Sequence, residues 1–355
     1  MGLNLMGADE AIAHLADFDT IIDARSEGEY ALDRLPLAVN WPTLHDDERM
    51  TIGTLYKQVN PFEARKRGGA IAARNIAAHI EREVLDKPRD WKPLAYCWRG
   101  GKRSGALALI LDQIGFRVTL LEGGYKAFRA AVVANIPRQV QRLEFQVVCG
   151  TTGSGKTRLL QALAAQGAQV LDLEALASHR SSVLGAVPGV QQPSQKHFET
   201  LIWTQLKGFH SNTPVYVESE SKKVGNVALP SALVERMRAS PCLQLTLPED
   251  ERVALLLEDY DSLAKDPALF CARLDLLKEF RGKETVHAWQ SQVMQGKVAP
   301  VVRALLTEHY DPIYLQSIQR NFVQYPQAPA LRPHDRSMAS MEVLAKALLA
   351  GHHAV

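Results

Sequence analysis

A cysteine followed by glycines and cations is the first feature of the sequence that could do chemistry. The stretch AYCWRGGKRSGALAL, residues 95–109, places Cys97 at the end of an apolar run and just before two glycines and three cations. We predict a strand, a tight glycine loop and a helix N-terminus here, so that backbone N–H groups point toward the sulfur. These donors and charges favour the thiolate, which is the nucleophilic form of cysteine. Cys97 is therefore the candidate catalytic residue.

The same loop could hold an anion of phosphate size through its cations and its backbone N–H groups. Its candidate ligands are Arg99, Gly100, Gly101, Lys102 and Arg103. An isolated cysteine is more often an inert buried residue, and we predict that role for Cys149, Cys242 and Cys271, which lie in apolar surroundings. The four cysteines show no CxxC pair and no attached histidine cluster, so neither a metal site nor a disulfide framework is predicted.

A second candidate site is the glycine-rich segment GTTGSGKT, residues 150–157. It satisfies the pattern G-x-x-x-x-G-K-[ST] and lies between a predicted strand and a predicted helix, as the mechanism requires. In such a loop the N–H groups form an anion nest, the lysine adds a positive charge, and the threonine hydroxyl can reach Mg²⁺. The predicted diphosphate ligands are Gly150, Gly153, Ser154, Gly155, Lys156 and Thr157.

The acidic partner of a nucleotide-hydrolysing P-loop is usually an aspartate at the end of an apolar strand. In this sequence the best candidate is VYVESES, residues 215–221, which offers Glu218 and Glu220 instead. This departure weakens the case for ordinary nucleotide hydrolysis.

The elements that position both sites predict an α/β protein of two domains. The chain has 355 residues, more than a single core usually accommodates. Strand-like runs at 20–24, 37–42, 93–97 and 118–124 alternate with helical stretches. A closing helix is predicted at 126–136 and a seam at 135–144. We predict one domain over residues 1–136 and a P-loop α/β domain over 137–355, whose pattern becomes a mostly helical C-terminal appendage from about residue 249.

Charge and hydropathy limit the classes of partner. A net charge of +2 permits a nucleic-acid partner without establishing one. Basic clusters at Lys57 and at 65–67, 222–223 and 278–283 are of a kind that usually forms a solvated face. The sequence contains no membrane-spanning run and no secretory signal pattern, so we expect a cytoplasmic protein with reduced thiols.

Several stretches of the first half resemble a rhodanese domain, a fold that carries sulfur as a persulfide on its loop cysteine. They are IIDARSEGEY (21–30), LPLAVNWP (35–42), the Cys97 loop and LLEGGYKAFR (120–129). Simple rhodaneses usually read C-x4-R, whereas this loop reads C-x5-R, as in the phosphatase relatives of the fold. The extra residue widens the loop, which suits a phosphate-sized oxyanion.

Together with the P-loop, further segments make nearly the whole chain similar to the bacterial tRNA 2-selenouridine synthase family. They are LDLEALASHRSSVLG (171–185), QPSQKHFE (192–199), VESES (217–221) and HYDPIY (309–314). That family replaces the sulfur of 2-thiouridine at the tRNA wobble position by selenium from selenophosphate, and can attach a geranyl group from geranyl diphosphate. The resemblance implies that Cys97 carries selenium as a selenyl-sulfide adduct and that the P-loop binds geranyl diphosphate through its diphosphate group. A glycine is common in the family where Ser181 stands.

The resemblance also implies tRNA and a selenophosphate-supplying enzyme as partners, and selenophosphate, geranyl diphosphate and Mg²⁺ as small ligands. The aromatic candidates for stacking on an extruded wobble base are Trp98, Tyr125, Trp203 and Tyr216. Two alternatives stay open: a rhodanese-fold phosphatase or sulfurtransferase coupled to a nucleotide-binding module, and a nucleotide switch fused to an inactive sulfur-binding module. Against a phosphatase, residues 98–105 contain no carboxylate that could serve as general acid.

Overall fold

A computed structural model describes residues 3–180, 185, 189–261 and 265–351 of the chain. Ser181, where the sequence departs from the resembled family, lies outside the described residues. The chain divides into two compact units. The first comprises the residues up to Ile136 together with Pro193–Thr204, and the second comprises the rest. Nothing in the sequence indicated that Pro193–Thr204 groups with the first unit.

The first unit is built on a parallel sheet of five strands. They are β1 (Asn4–Met6), β2 (Thr20–Asp23), β3 (Ala38–Asn40), β4 (Pro93–Tyr96) and β5 (Thr119–Leu121). Their spatial order is β1-β5-β4-β2-β3. Every position of β4 and β5 is buried, which explains why they read as continuous apolar runs. The four predicted strands of this region are confirmed.

The helices of the first unit are α1 (Ala8–Ala13), α2 (Glu27–Leu32), α3 (Asp46–Gln58), α4 (Pro61–Glu83), α5 (Lys102–Ile114) and α6 (Gly124–Arg142), with a 3₁₀ turn at Leu15–Asp17. Helix α6 is longer than the predicted 126–136, because it continues through Pro137 to Arg142. Helices α3 and α4 pack against each other as a hairpin. At its turn, the Asn60 side chain accepts the N–H of Phe62 over 2.8 Å and caps α4.

An apolar core fixes α5 against the sheet. Leu107 and Leu111 of α5 are fully buried in a cluster that includes Ile22 of β2 and Trp91. Burying a leucine side chain completely stabilises a fold by about 1.5–3 kcal/mol. This core holds β4 and α5 in fixed positions, so the short loop that joins them has a defined shape.

The second unit is built on another parallel sheet of five strands. They are β6 (Phe145–Cys149), β7 (Gln169–Leu171), β8 (Val215–Glu218), β11 (Cys242–Leu245) and β12 (Ala330–Leu331), and β9 (Lys223–Val224) and β10 (Val227–Ala228) form a separate antiparallel pair. The spatial order of the sheet is β12-β11-β6-β8-β7. The central strand β6 therefore leads directly into the P-loop.

After β6, the helices in chain order are α7 (Lys156–Ala165), α8 (Leu173–Ala177), α9 (Gln195–Gly208), α10 (Ser231–Ala239) and α11 (Glu249–Asp259). Residues 195–204 of α9 group with the first unit. Helix α11 is followed by α12 (Pro267–Leu274), α13 (Lys278–Arg281), α14 (Lys283–Met294), α15 (Val298–Ala304), α16 (Asp311–Asn321) and α17 (Met338–Leu349), with 3₁₀ turns at Asp275–Leu277 and Tyr325–Gln327 and a π-helical segment at Leu305–Tyr310. Among the described helices, none has both the length and the apolar character that a bilayer crossing requires.

The predicted helical C-terminal part is present from Glu249 onward and has an apolar cluster of its own around Phe270, Trp289 and Leu306. The end of the chain then returns to the P-loop sheet, a feature that the helical pattern did not reveal. Strand β12 pairs with β11, and Met341 of α17 joins the core that also contains Leu159 of α7.

Candidate active sites

Cys97 directly follows β4, the central strand of the first sheet, and precedes α5. The predicted order of strand, glycine loop and helix is therefore confirmed. In parallel α/β sheets, ligands bind beyond the carboxyl ends of the strands, where helix N-termini point at them. Cys97 occupies that position in the first unit.

The sulfur of Cys97 is buried and surrounded by donors. The Gly101 N–H donates to Sγ over 3.2 Å. Burial by itself would raise the pKa of the Cys97 thiol. The hydroxyl and N–H of Ser104, the Arg103 guanidinium and the Gly101 N–H outweigh it and hold that pKa below its usual value. The surroundings therefore favour the thiolate.

Ser104 is a candidate functional residue that the sequence analysis missed. Its Oγ is buried and completes no hydrogen bond of normal geometry within the described residues, so it is available to the sulfur that it faces. Buried hydroxyls normally have a partner, which makes an uncommitted one beside a nucleophile informative. The signal was present in the sequence as the serine immediately after the arginine of the C-x5-R pattern.

The N-terminus of α6 holds the Cys97 loop in place. The N–H of Tyr125 donates to the Cys97 carbonyl over 2.8 Å, and the N–H of Lys126 donates to the Trp98 carbonyl over 3.1 Å. Gly124 has a φ of +56°, and a Cβ there would lie 2.2 Å from the Cys97 carbonyl oxygen. Only glycine fits this contact, which gives the glycine pair of LLEGGYKAFR a structural reason.

The predicted anion ligands of this loop fall into two groups. Arg103 is held in an ion pair with Glu29 over 2.7 Å. Arg99 and Lys102 are exposed, and within the described residues neither has an acidic partner. Burial alone would raise the pKa of Glu29, but its bonds to Arg103 lower it, so this carboxylate stays charged. It is poorly suited to donate a proton as a phosphatase general acid.

Most of the IIDARSEGEY motif is structural. Arg25 forms a buried ion pair with Asp23 over 2.6 Å, and the Tyr96 hydroxyl donates to the same carboxylate over 2.7 Å. Ser26 and Glu29 form a capping box at the start of α2. The motif thereby fixes Glu29 where it meets Arg103.

The four aromatic candidates for base stacking differ in exposure. Tyr125, Trp203 and Tyr216 are buried, whereas Trp98 is 36% exposed. Trp98 follows Cys97 directly and lies beside the Tyr125 ring, with ring centroids 5.4 Å apart. The Lys196 ammonium is 5.9 Å from the Trp98 ring. Trp98 is therefore the member of the four with surface to offer a base.

One predicted basic cluster lies on a distinct surface, which we call the hairpin tip and define as residues 53–67 at the turn between α3 and α4. It carries four cations and one acid, and Tyr56, Val59 and Phe62 are 51%, 73% and 62% exposed. Helix α3 contributes no buried residue, and α4 buries only Ala64 within this stretch. The hairpin tip is thus basic, partly aromatic and open to solvent.

The P-loop follows the last residue of β6, and α7 begins at Lys156, so the predicted strand–loop–helix is confirmed. Gly155 has a φ of +88°, and a Cβ there would lie 2.5 Å from the terminal methyl of Met341. The Lys156 Nζ donates to the Gly150 carbonyl over 2.7 Å. The nest and its lysine are therefore arranged for an anion at the N-terminus of α7.

Residues of the HYDPIY segment hold the P-loop. The Tyr314 hydroxyl accepts the Gly150 N–H over 2.9 Å and is 2.5 Å from the Ser219 hydroxyl. The Lys156 Nζ is 5.3 Å from the centre of the Tyr314 ring. Tyr314 therefore connects the start of the P-loop with the end of β8, a role that the sequence analysis did not assign.

A second contact fixes the tip of the P-loop. Arg252 of α11 donates from Nη2 to the Thr152 carbonyl over 2.7 Å and pairs with both carboxylate oxygens of Asp311 over 2.6 and 2.9 Å. Such bidentate pairs fix geometry as well as charge. Asp311 belongs to the same HYDPIY segment as Tyr314, which explains why this distant segment accompanies the P-loop.

Of the two predicted acidic residues, Glu218 ends β8, the strand beside β6, and Glu220 lies two residues beyond it. Glu218 pairs in register with Val148, and its Oε1 accepts the Glu174 N–H over 3.0 Å. Burial raises the pKa of Glu218 well above its usual value, and repulsion from Asp172, Glu220 and Glu174 adds to it. Within the described residues, Glu218 Oε2 has no hydrogen-bond partner. Burial therefore favours the protonated form of Glu218.

A cavity of about 360 Å³ opens beside the P-loop. Its polar wall includes the P-loop from Thr152 to Thr157, Glu220 and Arg238. The Nε of Arg238 is buried and has no hydrogen-bond partner within the described part of the chain. The lining also includes apolar or aromatic residues, namely Leu255, Leu256, Tyr260, Ile318 and Phe322, together with further polar ones such as Asp259 and Ser317. The cavity thus combines an anion nest with apolar side chains.

Comparison with known proteins agrees with these features. The chain matches a rhodanese-like domain over residues 7–131 and a tRNA 2-selenouridine synthase AAA domain over residues 143–273. The tRNA 2-selenouridine synthase of Nitrosomonas europaea is 36% identical over 262 residues, covering 72% of this chain and 67% of the relative. The synthase of Marinobacter nauticus is 32% identical and covers 83% of this chain and 87% of the relative. The synthase of Bdellovibrio bacteriovorus is also 32% identical and covers 85% of this chain and 90% of the relative. The rhodanese-like and P-loop assignments are confirmed, and the chain belongs to the tRNA 2-selenouridine synthase family.

Proposed function

We propose that this enzyme replaces the sulfur of 2-thiouridine at the tRNA wobble position by selenium. The observation that carries the proposal is the buried Cys97 sulfur beneath the N–H groups and cations of its loop. Selenophosphate is an anion of phosphate size, and Arg99, Lys102 and the loop N–H groups are suited to its oxygens. We place the selenium step in the domain of residues 1–136.

The P-loop domain, residues 137–355, would perform a preceding alkylation. The sulfur of 2-thiouridine attacks the first carbon of geranyl diphosphate, the carbon–oxygen bond breaks, and diphosphate leaves. Lys156 and the P-loop N–H groups stabilise the charge on that leaving group. The apolar side chains that line the adjoining cavity support an isoprenoid donor, because Leu256 and Phe322 can contact a hydrocarbon chain.

Alkylation makes the later substitution feasible. An unactivated thiocarbonyl releases HS⁻ reluctantly, whereas an S-geranyl group can depart as geranyl thiolate once a selenium nucleophile has added to the ring. The two domains would then perform successive steps on one nucleoside. This division gives a chemical reason for their fusion.

The residues beside the nest also fit Mg²⁺. The Thr157 hydroxyl lies 3.4 Å from Glu174 Oε2, and Mg²⁺ commonly takes one or two protein oxygens together with substrate phosphates. Thr157 and Glu174 would hold the ion, which would help to neutralise the diphosphate. Glu218, whose raised pKa favours the protonated form, would act beside them as a hydrogen-bond partner.

The tRNA would contact the first unit at two places. Trp98, the exposed aromatic residue next to Cys97, would stack on the extruded base. The hairpin tip would contact phosphates through its four cations. A tRNA substrate implies a cytoplasmic enzyme, and an enzyme that makes selenophosphate is the expected supplier.

A pair of variants tests this division of work. Cys97→Ser keeps the loop cations but lacks the nucleophile, so it should accumulate geranylated tRNA and make no selenouridine. Lys156→Ala should reduce geranylation roughly 10- to 150-fold, because a charge-assisted contact contributes about 1.5–3 kcal/mol. Supplied with geranylated RNA, however, it should make selenouridine at the normal rate. The nucleosides are quantified by mass spectrometry.

Absence of both products in Cys97→Ser would show that the domains do not divide the work in this way. Normal geranylation by Lys156→Ala would remove the P-loop from the alkylation step.

A further inference from the structure

The donors around Cys97 converge on its sulfur, and this determines how a bound selenophosphate must lie. The Gly101 N–H points at Sγ over 3.2 Å, and the N–H and hydroxyl of Ser104 face the same atom. An oxyanion held by these groups brings its central atom to the sulfur. In selenophosphate the three oxygens are bonded to phosphorus, so phosphorus faces Sγ and the selenium points away from the loop.

The electron balance gives the same orientation. Selenium in selenophosphate is at the oxidation level of selenide. Transfer of selenium to a thiolate as a selenyl sulfide would therefore require removal of two electrons by an oxidant, or would release phosphite rather than phosphate. Attack of the thiolate on phosphorus needs neither.

We propose that Cys97 accepts the phosphoryl group of selenophosphate rather than its selenium, so that the loop releases selenide next to the bound nucleoside. In the first step the Cys97 Sγ–P bond forms and the P–Se bond breaks, and the electron pair leaves with selenium as HSe⁻ after protonation by solvent. In the second step water attacks phosphorus, the S–P bond breaks, phosphate leaves and the thiolate is restored. This inference rests on the proposed function, because selenophosphate is the donor in both.

The loop offers no general acid, and this fits selenide as the leaving group. A phosphatase must protonate a poor alkoxide leaving group, but residues 98–105 contain no carboxylate and Glu29 is held ionised by Arg103. Hydrogen selenide is a far stronger acid than an alcohol, so selenide leaves without a general acid. The feature that argued against phosphate-ester hydrolysis is thus compatible with phosphoryl transfer from selenophosphate.

Ser104 has a place in the second step. Its buried Oγ completes no other hydrogen bond of normal geometry within the described residues, and it faces Sγ. When the S–P bond breaks, negative charge returns to the sulfur, and this hydroxyl can donate to it. We therefore treat Ser104 as the group that stabilises the departing thiolate.

The test uses the full-length enzyme with geranylated RNA and selenophosphate labelled either with ³²P or with ⁷⁵Se. The reaction is stopped in denaturant at neutral pH after a single turnover, and the label on the Cys97 peptide is counted with and without dithiothreitol. We expect ³²P on Cys97 that resists dithiothreitol, and no ⁷⁵Se there. Ser104→Ala should retain the ³²P adduct several times longer, and Cys97→Ser should acquire none.

Label from ⁷⁵Se on Cys97 that dithiothreitol removes would overturn the proposal in favour of a selenyl sulfide. Selenouridine formation by wild type with neither label on Cys97, even in Ser104→Ala, would overturn it in favour of direct attack by selenophosphate on the nucleoside. If wild type made no selenouridine but still took ³²P on Cys97, the proposed function would fail while the phosphoryl transfer stood.

Discussion

The hydroxyl of Tyr314 accepts a hydrogen bond of 2.9 Å from the backbone N–H of Gly150, the first residue of the P-loop. The two residues are 164 positions apart in sequence. The same hydroxyl is 2.5 Å from Ser219 at the end of β8, so one buried phenol connects the anion nest with the strand that carries the acidic residues. Burial raises the pKa of Tyr314 well above its usual value, and this group therefore stays protonated.

Tyr314→Phe should weaken the donor site without disturbing the selenium step. Removing a hydrogen bond to a buried backbone group costs about 1–2 kcal/mol, which corresponds to a rise of roughly 5- to 30-fold in KM for geranyl diphosphate. Selenation of RNA that is already geranylated should be unchanged. The control is Tyr325→Phe, which removes the hydroxyl of another half-buried tyrosine of the second unit. An unchanged KM in Tyr314→Phe would deny the residue this positioning role.

Ser104→Ala should make the Cys97 thiol less acidic, because the Ser104 hydroxyl lowers the pKa of Cys97 in the folded protein. Alkylation of Cys97 by iodoacetamide, followed on its peptide by mass spectrometry, should show a midpoint at higher pH than in wild type. The rate at neutral pH should fall, and the limiting rate at high pH should be the same. The surface variant Ser231→Ala serves as control. A midpoint shifted to lower pH would contradict the assignment.

Glu218→Gln should stabilise the protein increasingly as the pH rises. An unfolded glutamate releases its proton near pH 4.3, about its usual pKa, whereas burial raises the pKa of folded Glu218 well above that value. Between these two values the folded state binds the extra proton, so wild-type stability falls by up to about 1.4 kcal/mol per pH unit. In the variant, the side-chain oxygen of glutamine can still accept the hydrogen bond from the Glu174 N–H, but the side chain has no proton to release.

We therefore expect the Tm of Glu218→Gln to exceed that of wild type at pH 7–8, with the difference shrinking toward pH 4. The control is Glu235→Gln on the exposed side of α10. A difference that grows as the pH falls would show that Glu218 is stabilised as a carboxylate instead.

Neutralising the hairpin tip should weaken tRNA binding in a salt-dependent way. The variant carries glutamine at Lys57, Arg65, Lys66 and Arg67. For every phosphate that the tip no longer binds, the slope of log Kd against log salt concentration should decrease by about 0.7–0.9. A control of equal charge change carries glutamine at the exposed Lys87, Arg89, Lys92 and Arg117. Filter binding at several salt concentrations measures both, and equal slopes for the two variants would exclude the hairpin tip as a phosphate-binding surface.

The sequence by itself determined the local architecture of both sites. About 15 consecutive residues around Cys97 predict a strand, a glycine loop and a helix N-terminus, and a similar stretch around Lys156 predicts the same order. The structure contains both of these strand–loop–helix units. Backbone N–H groups at the start of a helix point toward the loop whatever surrounds them, so the anion-binding character of the two loops could be predicted from local rules. The glycine pair at 123–124 could also be recognised, though not its contact with the Cys97 carbonyl.

Only the tertiary structure decided which side chains complete these loops. Glu29 reaches Arg103 across 74 positions, and Arg252 reaches Thr152 across 100. These contacts follow from how the strands are ordered in each sheet and how the helices pack on it, and no local pattern encodes that order. Burial, too, is known only from the fold: it raises the pKa of Glu218, leaves Trp98 as the exposed aromatic residue among four candidates, and leaves the Ser104 hydroxyl facing the sulfur. Burial is the summed result of many distant contacts, so a linear sequence names the candidates while the fold chooses among them.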